Sequence, residues 1–253
     1  MYRHVIATAL AVALAPAPQG LPAAKPITVS AAVSLTDALT AVAELYGRDG
    51  RGTVRFNFAA SNVLAQQIVA GAPVDVFVSA DEAQMDAVGA AGLLLAGSRI
   101  TLLRNQLAIV VPNDRPRTMT GARDLTAAAF RRIAIGDPAA VPAGVYAKAW
   151  LEKEGIWETL QPRLVPSGSV RAALTAVESG AADAGIVYRT DARVALKATV
   201  AYVVPADRGP RIVYPAAVVR TSAAQAEARR ILDYLRGDAA ARTFERFGFT
   251  IPK

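Results

Sequence analysis

The residues of this 253-residue sequence that could do chemistry concentrate in four short stretches. These are Ala31-Ala32-Val33-Ser34-Leu35-Thr36, Phe58-Ala59-Ala60-Ser61-Asn62, Gly136-Asp137-Pro138 with Val141-Pro142-Ala143-Gly144-Val145-Tyr146, and Gly185-Ile186-Val187-Tyr188. The third is the most distinctive. Arg132-Ile133-Ala134-Ile135 reads as a short buried strand, and Gly136-Asp137-Pro138 ends it with turn chemistry. Pro142 stands where a helix would begin, a place that suits proline because it has no N–H to leave unpaired. The next donors are the N–H groups of Ala143 and Gly144, whose small side chains would let a ligand approach bare backbone. A helix start with exposed donors and a positive dipole end is an anion site. An ordinary strand–turn–helix connection accounts for the same residues.

The serines invite a second chemistry, nucleophilic catalysis from Ser34 or Ser61. Composition argues against it. There is no cysteine, which removes disulfides, thiol catalysis and thiolate metal sites. The only histidine is His4, inside a segment that reads as a cleaved leader, so Ser-His-Asp chemistry and histidine-ligated metals fall away as well. A serine hydrolase would have to use Lys148 as its base.

That leader occupies residues 1–24. Arg3 and His4 give a weakly basic start, residues 5–15 are apolar and too short to span a bilayer, and Pro16, Pro18 and Gly20 break the run. The expected mature protein is exported and soluble. With 53% hydrophobic and 19% charged residues the chain is globular. Its formal charge of +7 could steer anions toward a cleft. The arginines are scattered without a basic run or interleaved aromatics, so no nucleic-acid partner is expected.

The elements that must position the four stretches follow from periodicity. Strands are expected at 26–30, 53–58 and 74–79, alternating with helices at 34–47, 61–71 and 80–88. Ser34 with Asp37 has capping-box spacing, and Ser61 is placed to cap the second helix. Residues 93–103 carry no clear pattern. A strand at 106–111 follows a polar break at Arg104-Asn105, where the chain is expected to cross into a second α/β set. That set has strands at 132–135, 163–165, 184–187 and 199–204, with helices at 142–154, 170–179 and 190–195. A strand at 211–219, broken by Pro215, would carry the chain back, and helices at 223–235 and 238–247 would close it. The fold class is therefore α/β: two similar lobes with a ligand cleft between them and two crossover segments. Lobe I is expected to comprise residues 26–104 plus 215–253, and lobe II residues 105–214. Ligands in such folds lie outside the carboxyl ends of the strands, where all four stretches fall.

From Ile27 to Pro252 the sequence resembles the periplasmic molybdate-binding proteins of ABC importers, which have the type II periplasmic binding-protein fold. The resemblance rests on Ala31-Ala32-Val33-Ser34-Leu35-Thr36-Asp37-Ala38, Gly71-Ala72-Pro73-Val74-Asp75-Val76-Phe77-Val78-Ser79-Ala80-Asp81, the stretches around Pro142 and Gly185, and Arg246-Phe247-Gly248-Phe249-Thr250-Ile251. It implies a site for molybdate or tungstate made of neutral donors. Ser34 and Ser61 would each supply hydroxyl and backbone N–H, Ala143 and Val170 backbone N–H, and Tyr188 its phenolic O–H. Molybdenum would be held only through its oxygens, with no direct metal ligation and no cofactor. The implied protein is a periplasmic monomer that binds the oxyanion, delivers it to the membrane permease subunits of an ABC importer, and catalyses nothing.

The chemistry suits that implication. A fully ionised oxyanion only accepts hydrogen bonds, so a pocket of donors without a carboxylate fits it and disfavours protonated phosphate. Charge-assisted bonds contribute roughly 1.5–3 kcal/mol each. The alternative is a binding protein for another tetrahedral oxyanion: sulfate, thiosulfate or phosphate. One departure is that Ala59-Ala60 precede Ser61 where relatives are often richer in serine, which bears on selectivity.

Overall fold

The computed structural model describes residues 25–252, so the leader expected over residues 1–24 lies outside the described residues. The chain begins β1 (Ile27–Ala32), α1 (Thr36–Arg48), β2 (Val54–Ala59), α2 (Ser61–Val69), β3 (Val76–Val78) and α3 (Glu82–Ala90). Then β4 (Ile100–Asn105) and β5 (Leu107–Pro112) follow with only Gln106 between them. The alternation resumes with β6 (Ile133–Gly136), α4 (Pro142–Lys153), a single turn α5 (Trp157–Leu160), β7 (Leu164–Ser167), α6 (Val170–Glu178), β8 (Ala184–Tyr188), α7 (Arg189–Arg193) and β9 (Ala198–Val203). Finally β10 (Ile212–Val218) leads to α8 (Gln225–Arg236) and α9 (Asp238–Arg246).

Two five-stranded sheets result, ordered β2-β1-β3-β10-β4 and β7-β6-β8-β5-β9. They share one plan. Three parallel strands are followed by one antiparallel strand that arrives from the other sheet, and then by an edge strand. β5 makes the first crossing and β10 the second, so two α/β lobes are joined at two adjacent points. The visiting strands are interior to their sheets, and every residue of β5 and β10 is buried. Strands covered on both faces must be apolar throughout, which is why they read as unbroken hydrophobic runs. The outer strands β2 and β7 keep partly exposed faces.

Most of the buried apolar side chains form a single cluster running from the first sheet through the crossing strands into the second. It includes Leu35, Leu39 and Val42 of the α1 region with Ile231, Leu235 and Phe244 of α8 and α9. A satellite of Leu64, Ile68, Phe77, Met85 and Val88 lies under α2 and α3 on the other face of the first sheet.

The structure corrects two sequence expectations and assigns the stretch that carried no pattern. Residues 93–103 showed no pattern, yet they run into β4, an edge strand whose polar Thr101 and Arg104 are exposed on either side of buried Leu102 and Leu103. Arg104-Asn105 is thus the end of a strand rather than a break, and Asn105 is buried. Pro215 does not interrupt its strand. β10 passes through it with a register shift against β4 between Tyr214 and Pro215, and a bulge is where a sheet tolerates a residue without an N–H.

Candidate functional site

All four stretches end at one cavity between the lobes, with about 210 Å³ of empty space, the solvent at its mouth included. Ser34, Ser61, Ala143, Val170 and Tyr188 line it together, and the remaining wall is Ala32, Val33, Ala60, Ala80, Val141 and Pro142. Among the described residues no charged side chain contributes to the lining. Each donor is carried there by the turn that leaves a strand. Ser34 sits in a 3-10 turn (Val33–Leu35) between β1 and α1. Ser61 is the first residue of α2, just after β2. Ala143 is the second residue of α4, behind Pro142. Val170 opens α6, whose N-cap Ser169 accepts a hydrogen bond from the Ala172 N–H at 3.1 Å. Tyr188 ends β8.

The backbone N–H groups of Ser34, Ser61, Ala143 and Val170 reach no acceptor among the described residues. The first N–H groups of any helix lack intrahelical partners. Here α2, α4 and α6 bring three such starts, with their positive dipole ends, to one cavity. The phenolic oxygen of Tyr188 is buried and has no hydrogen-bond partner among the described residues. A buried polar group left unpaired costs about 1–3 kcal/mol, which marks this hydroxyl as built for something that arrives. Burial pushes the Tyr188 phenol well above its ordinary value, so it remains an O–H donor at physiological pH.

Local details differ from the sequence reading. Neither serine caps its helix. The N-cap of α1 is Leu35, and that of α2 is Ala60, with no side-chain cap in either case. Instead Ser61 Oγ accepts the Ala80 N–H at 2.9 Å, which leaves its own proton available to the cavity. Asp37 turns from the expected capping box to accept from Arg171 Nη2 at 2.6 Å, tying α1 of one lobe to α6 of the other. Gly144 is not a second free donor, because its N–H goes to the Val141 carbonyl at 2.9 Å. Its missing side chain faces the Gly136 carbonyl, not the cavity.

Behind Val170, Arg171 also donates through Nε to the fully buried Asp191, whose second oxygen has no partner among the described residues. Burial pushes the Asp191 carboxyl up to about 6, against the opposing pull of Arg171. The unfolded carboxyl titrates near 3.8. A raised folded-state pKa stabilises the fold below the unfolded value, and that contribution disappears as pH rises through the folded value. The protein is therefore expected to lose stability, relative to an Asp191→Asn variant, between about pH 4 and pH 6. Urea denaturation of both proteins across that window measures it, and a pH-independent difference would refute it.

Two residues that the sequence does not mark are Tyr214, buried beside Ser34, and Asn105, buried behind Tyr214. No local signal marked them, since Tyr214 lay in an apolar run and Asn105 looked like a loop residue.

Comparisons with known proteins agree with this architecture. The family described as "Bacterial extracellular solute-binding protein" matches residues 27–250. The Molybdate-binding protein ModA of Escherichia coli is 41% identical over 229 residues, 89% of each chain. That of Haemophilus influenzae is 37% identical over 228 residues, covering 88% of this chain and 89% of the relative. Among solved structures, the periplasmic molybdate-binding protein of Azotobacter vinelandii superposes with a TM-score of 0.81 at 26% identity, covering 90% of this chain and 100% of that one.

Proposed function

Because the chain belongs to the bacterial extracellular solute-binding protein family, we propose that it captures molybdate or tungstate outside the cytoplasmic membrane and delivers it to the permease subunits of an ABC importer. The relatives named for molybdate support that choice. The observation that carries it is the uncharged cavity rimmed by donors, with the Tyr188 hydroxyl buried and unpaired at its wall. In this reading Ser34 and Ser61 give hydroxyl and N–H, Ala143 and Val170 give N–H, and Tyr188 gives O–H. Residues 26–104 with 215–253 supply the serines from one lobe, and residues 105–214 supply the other three groups. The anion then bridges the lobes and holds them together.

No described residue of the cavity wall offers a carboxylate to accept a proton from the ligand. That favours fully ionised oxyanions over hydrogen phosphate. Charge neutralisation comes from helix ends and polarised hydrogen bonds rather than from an arginine or lysine. The protein binds and releases its ligand without turning it over, acts as a monomer, and uses no cofactor. A leader over residues 1–24 directs it to the periplasm.

Thermal melts with molybdate, tungstate, sulfate and phosphate test this reading. A ligand at a hundredfold over its dissociation constant adds about 2.7 kcal/mol, a rise of about 5–10 °C for a domain of this size. Molybdate and tungstate are expected to raise the melting temperature and phosphate is not. A shift from sulfate or phosphate alone would keep the anion site and change its ligand. No shift from any of the four would remove the site.

A further inference from the structure

We propose that Asn105 and Tyr214 act as positioning residues that fix the direction of the Ser34 proton, and through it the preference of the site for anions that carry no proton. The proposal rests on the anion-binding reading above. Its starting point is a backbone group whose role is fixed. The Gln106 N–H donates to Asn105 Oδ1 at 2.9 Å, and a backbone N–H can only donate. The amide of Asn105 is therefore oriented, with its Nδ2 protons directed elsewhere. They go to Thr190 Oγ1 at 2.9 Å and to the Tyr214 hydroxyl oxygen at 3.1 Å. The Tyr214 oxygen thus accepts. Among the described residues its single proton has one remaining partner within reach, Ser34 Oγ at 3.1 Å. Ser34 accepts there, and its own proton is left to point into the cavity it lines.

The chain of donation runs Gln106 N–H, Asn105, Tyr214, Ser34, anion. All its side chains are buried: Asn105 is 8% exposed, Tyr214 0% and Ser34 4%. Burial pushes the Tyr214 phenol above its ordinary value, so it keeps the proton the relay needs. Ser61 reaches the same state by a shorter route, since its oxygen accepts the Ala80 N–H. Both serine oxygens therefore have an acceptor position filled by the protein, and both present a proton to the ligand. A ligand that must itself donate, such as hydrogen phosphate, finds their preferred acceptor positions taken. The relay lies on one lobe, where β4, ending at Asn105, and the returning strand β10, carrying Tyr214, are neighbours in the first sheet.

Tyr214→Phe removes the hydroxyl and keeps the ring, which packs edge-on to Tyr188 and Phe249 at centroid distances of 5.8 and 5.5 Å. Ser34 then regains a free lone pair and can turn its proton away from the cavity. Dissociation constants for molybdate and for hydrogen phosphate are measured by calorimetry on the parent, Tyr214→Phe, Ser34→Ala and the double variant. The unliganded melting temperature of each reports folding. Molybdate binding is expected to weaken about tenfold in Tyr214→Phe, and the preference for molybdate over hydrogen phosphate to narrow by at least that factor. In the Ser34→Ala background Tyr214→Phe is expected to change neither affinity nor preference, since the group it orients is gone. Equal weakening for both anions, or additive effects in the double variant, would make Tyr214 merely structural and overturn the proposal. An unchanged preference would do the same. Failure of the parent to bind molybdate is a separate result and would remove the underlying reading instead.

Discussion

Val170→Pro is expected to bind molybdate about tenfold to a hundredfold more weakly while melting close to the parent in the absence of ligand. Val170 is the first residue of α6, with Ser169 as the N-cap. Proline is favoured at that position, since its fixed φ suits the first helical turn and the N–H it lacks has no helical partner. Ser169 has φ −160° and ψ 166°, an extended conformation that a following proline accepts. The Ser169 hydroxyl still receives the Ala172 N–H, so the cap survives. The substitution removes one N–H at the cavity wall, with the proline ring carbon in place of the proton, and replaces the buried valine side chain by a ring with the same number of side-chain carbons. A charge-assisted hydrogen bond contributes about 1.5–3 kcal/mol, and each 1.4 kcal/mol is tenfold in affinity. Calorimetric titration measures the loss, and a melt without ligand separates it from unfolding. Unchanged affinity would show that the anion takes nothing from this N–H.

How much of this could be read from residues alone differs by element. The alternation of strands and helices over residues 27–90 and 133–188 was legible because buried strands are continuous apolar runs and their helices carry an apolar stripe. The edge strand β4 was not. With Thr101 and Arg104 facing solvent, its pattern is neither a run nor a clean alternation. Pro215 misled for a different reason. Whether a proline breaks a strand or sits at a bulge depends on what pairs with it, and that is decided by β4 from far away in the sequence.

The candidate site was legible where chain geometry is local. Pro142 marks a helix start by its own chemistry, and the structure keeps that role. The roles of the serines were less so. Ser34 and Asp37 have the spacing of a capping box, but tertiary partners compete: Tyr214 takes the serine hydroxyl and Arg171 takes the carboxylate. Ser61 likewise serves the Ala80 N–H from β3's exit turn rather than its own helix. Residues that act across the fold, Asn105, Tyr214 and Arg171, have no signature in their neighbours. Their partners are 109, 180 and 134 residues away in the chain.

Gly144→Ala is expected to destabilise the protein by about 3 kcal/mol or more and to weaken anion binding with it. The reading of Gly144 as a residue kept small for the ligand fails on geometry, and a stronger constraint replaces it. A Cβ at this position would lie 2.1 Å from the Gly136 oxygen, 2.4 Å from the Gly136 carbonyl carbon and 2.5 Å from the Asp137 oxygen. All three are backbone atoms of the turn that leaves β6, so no side chain can swing aside. Carbon contacts relax only near 3.5 Å, and α4 would have to retreat by about 1 Å or more. Gly185 offers a milder contrast, where the nearest atom is Val177 Cγ2 at 2.8 Å, part of a side chain. Gly168, in the turn between β7 and α6, has open space around its missing Cβ and serves as the neutral control. For a domain of this size the Gly144→Ala loss corresponds to a melting temperature lower by about 6–12 °C. The Ala143 N–H rides on the same first turn of α4, so retreat of that turn carries a donor away from the cavity. Melting temperature and molybdate affinity are therefore expected to fall together in Gly144→Ala and to stay unchanged in Gly168→Ala. A Gly144→Ala protein as stable as the parent would mean that α4 does not press on β6 in this way, and that the Ala143 donor is placed by something other than this contact.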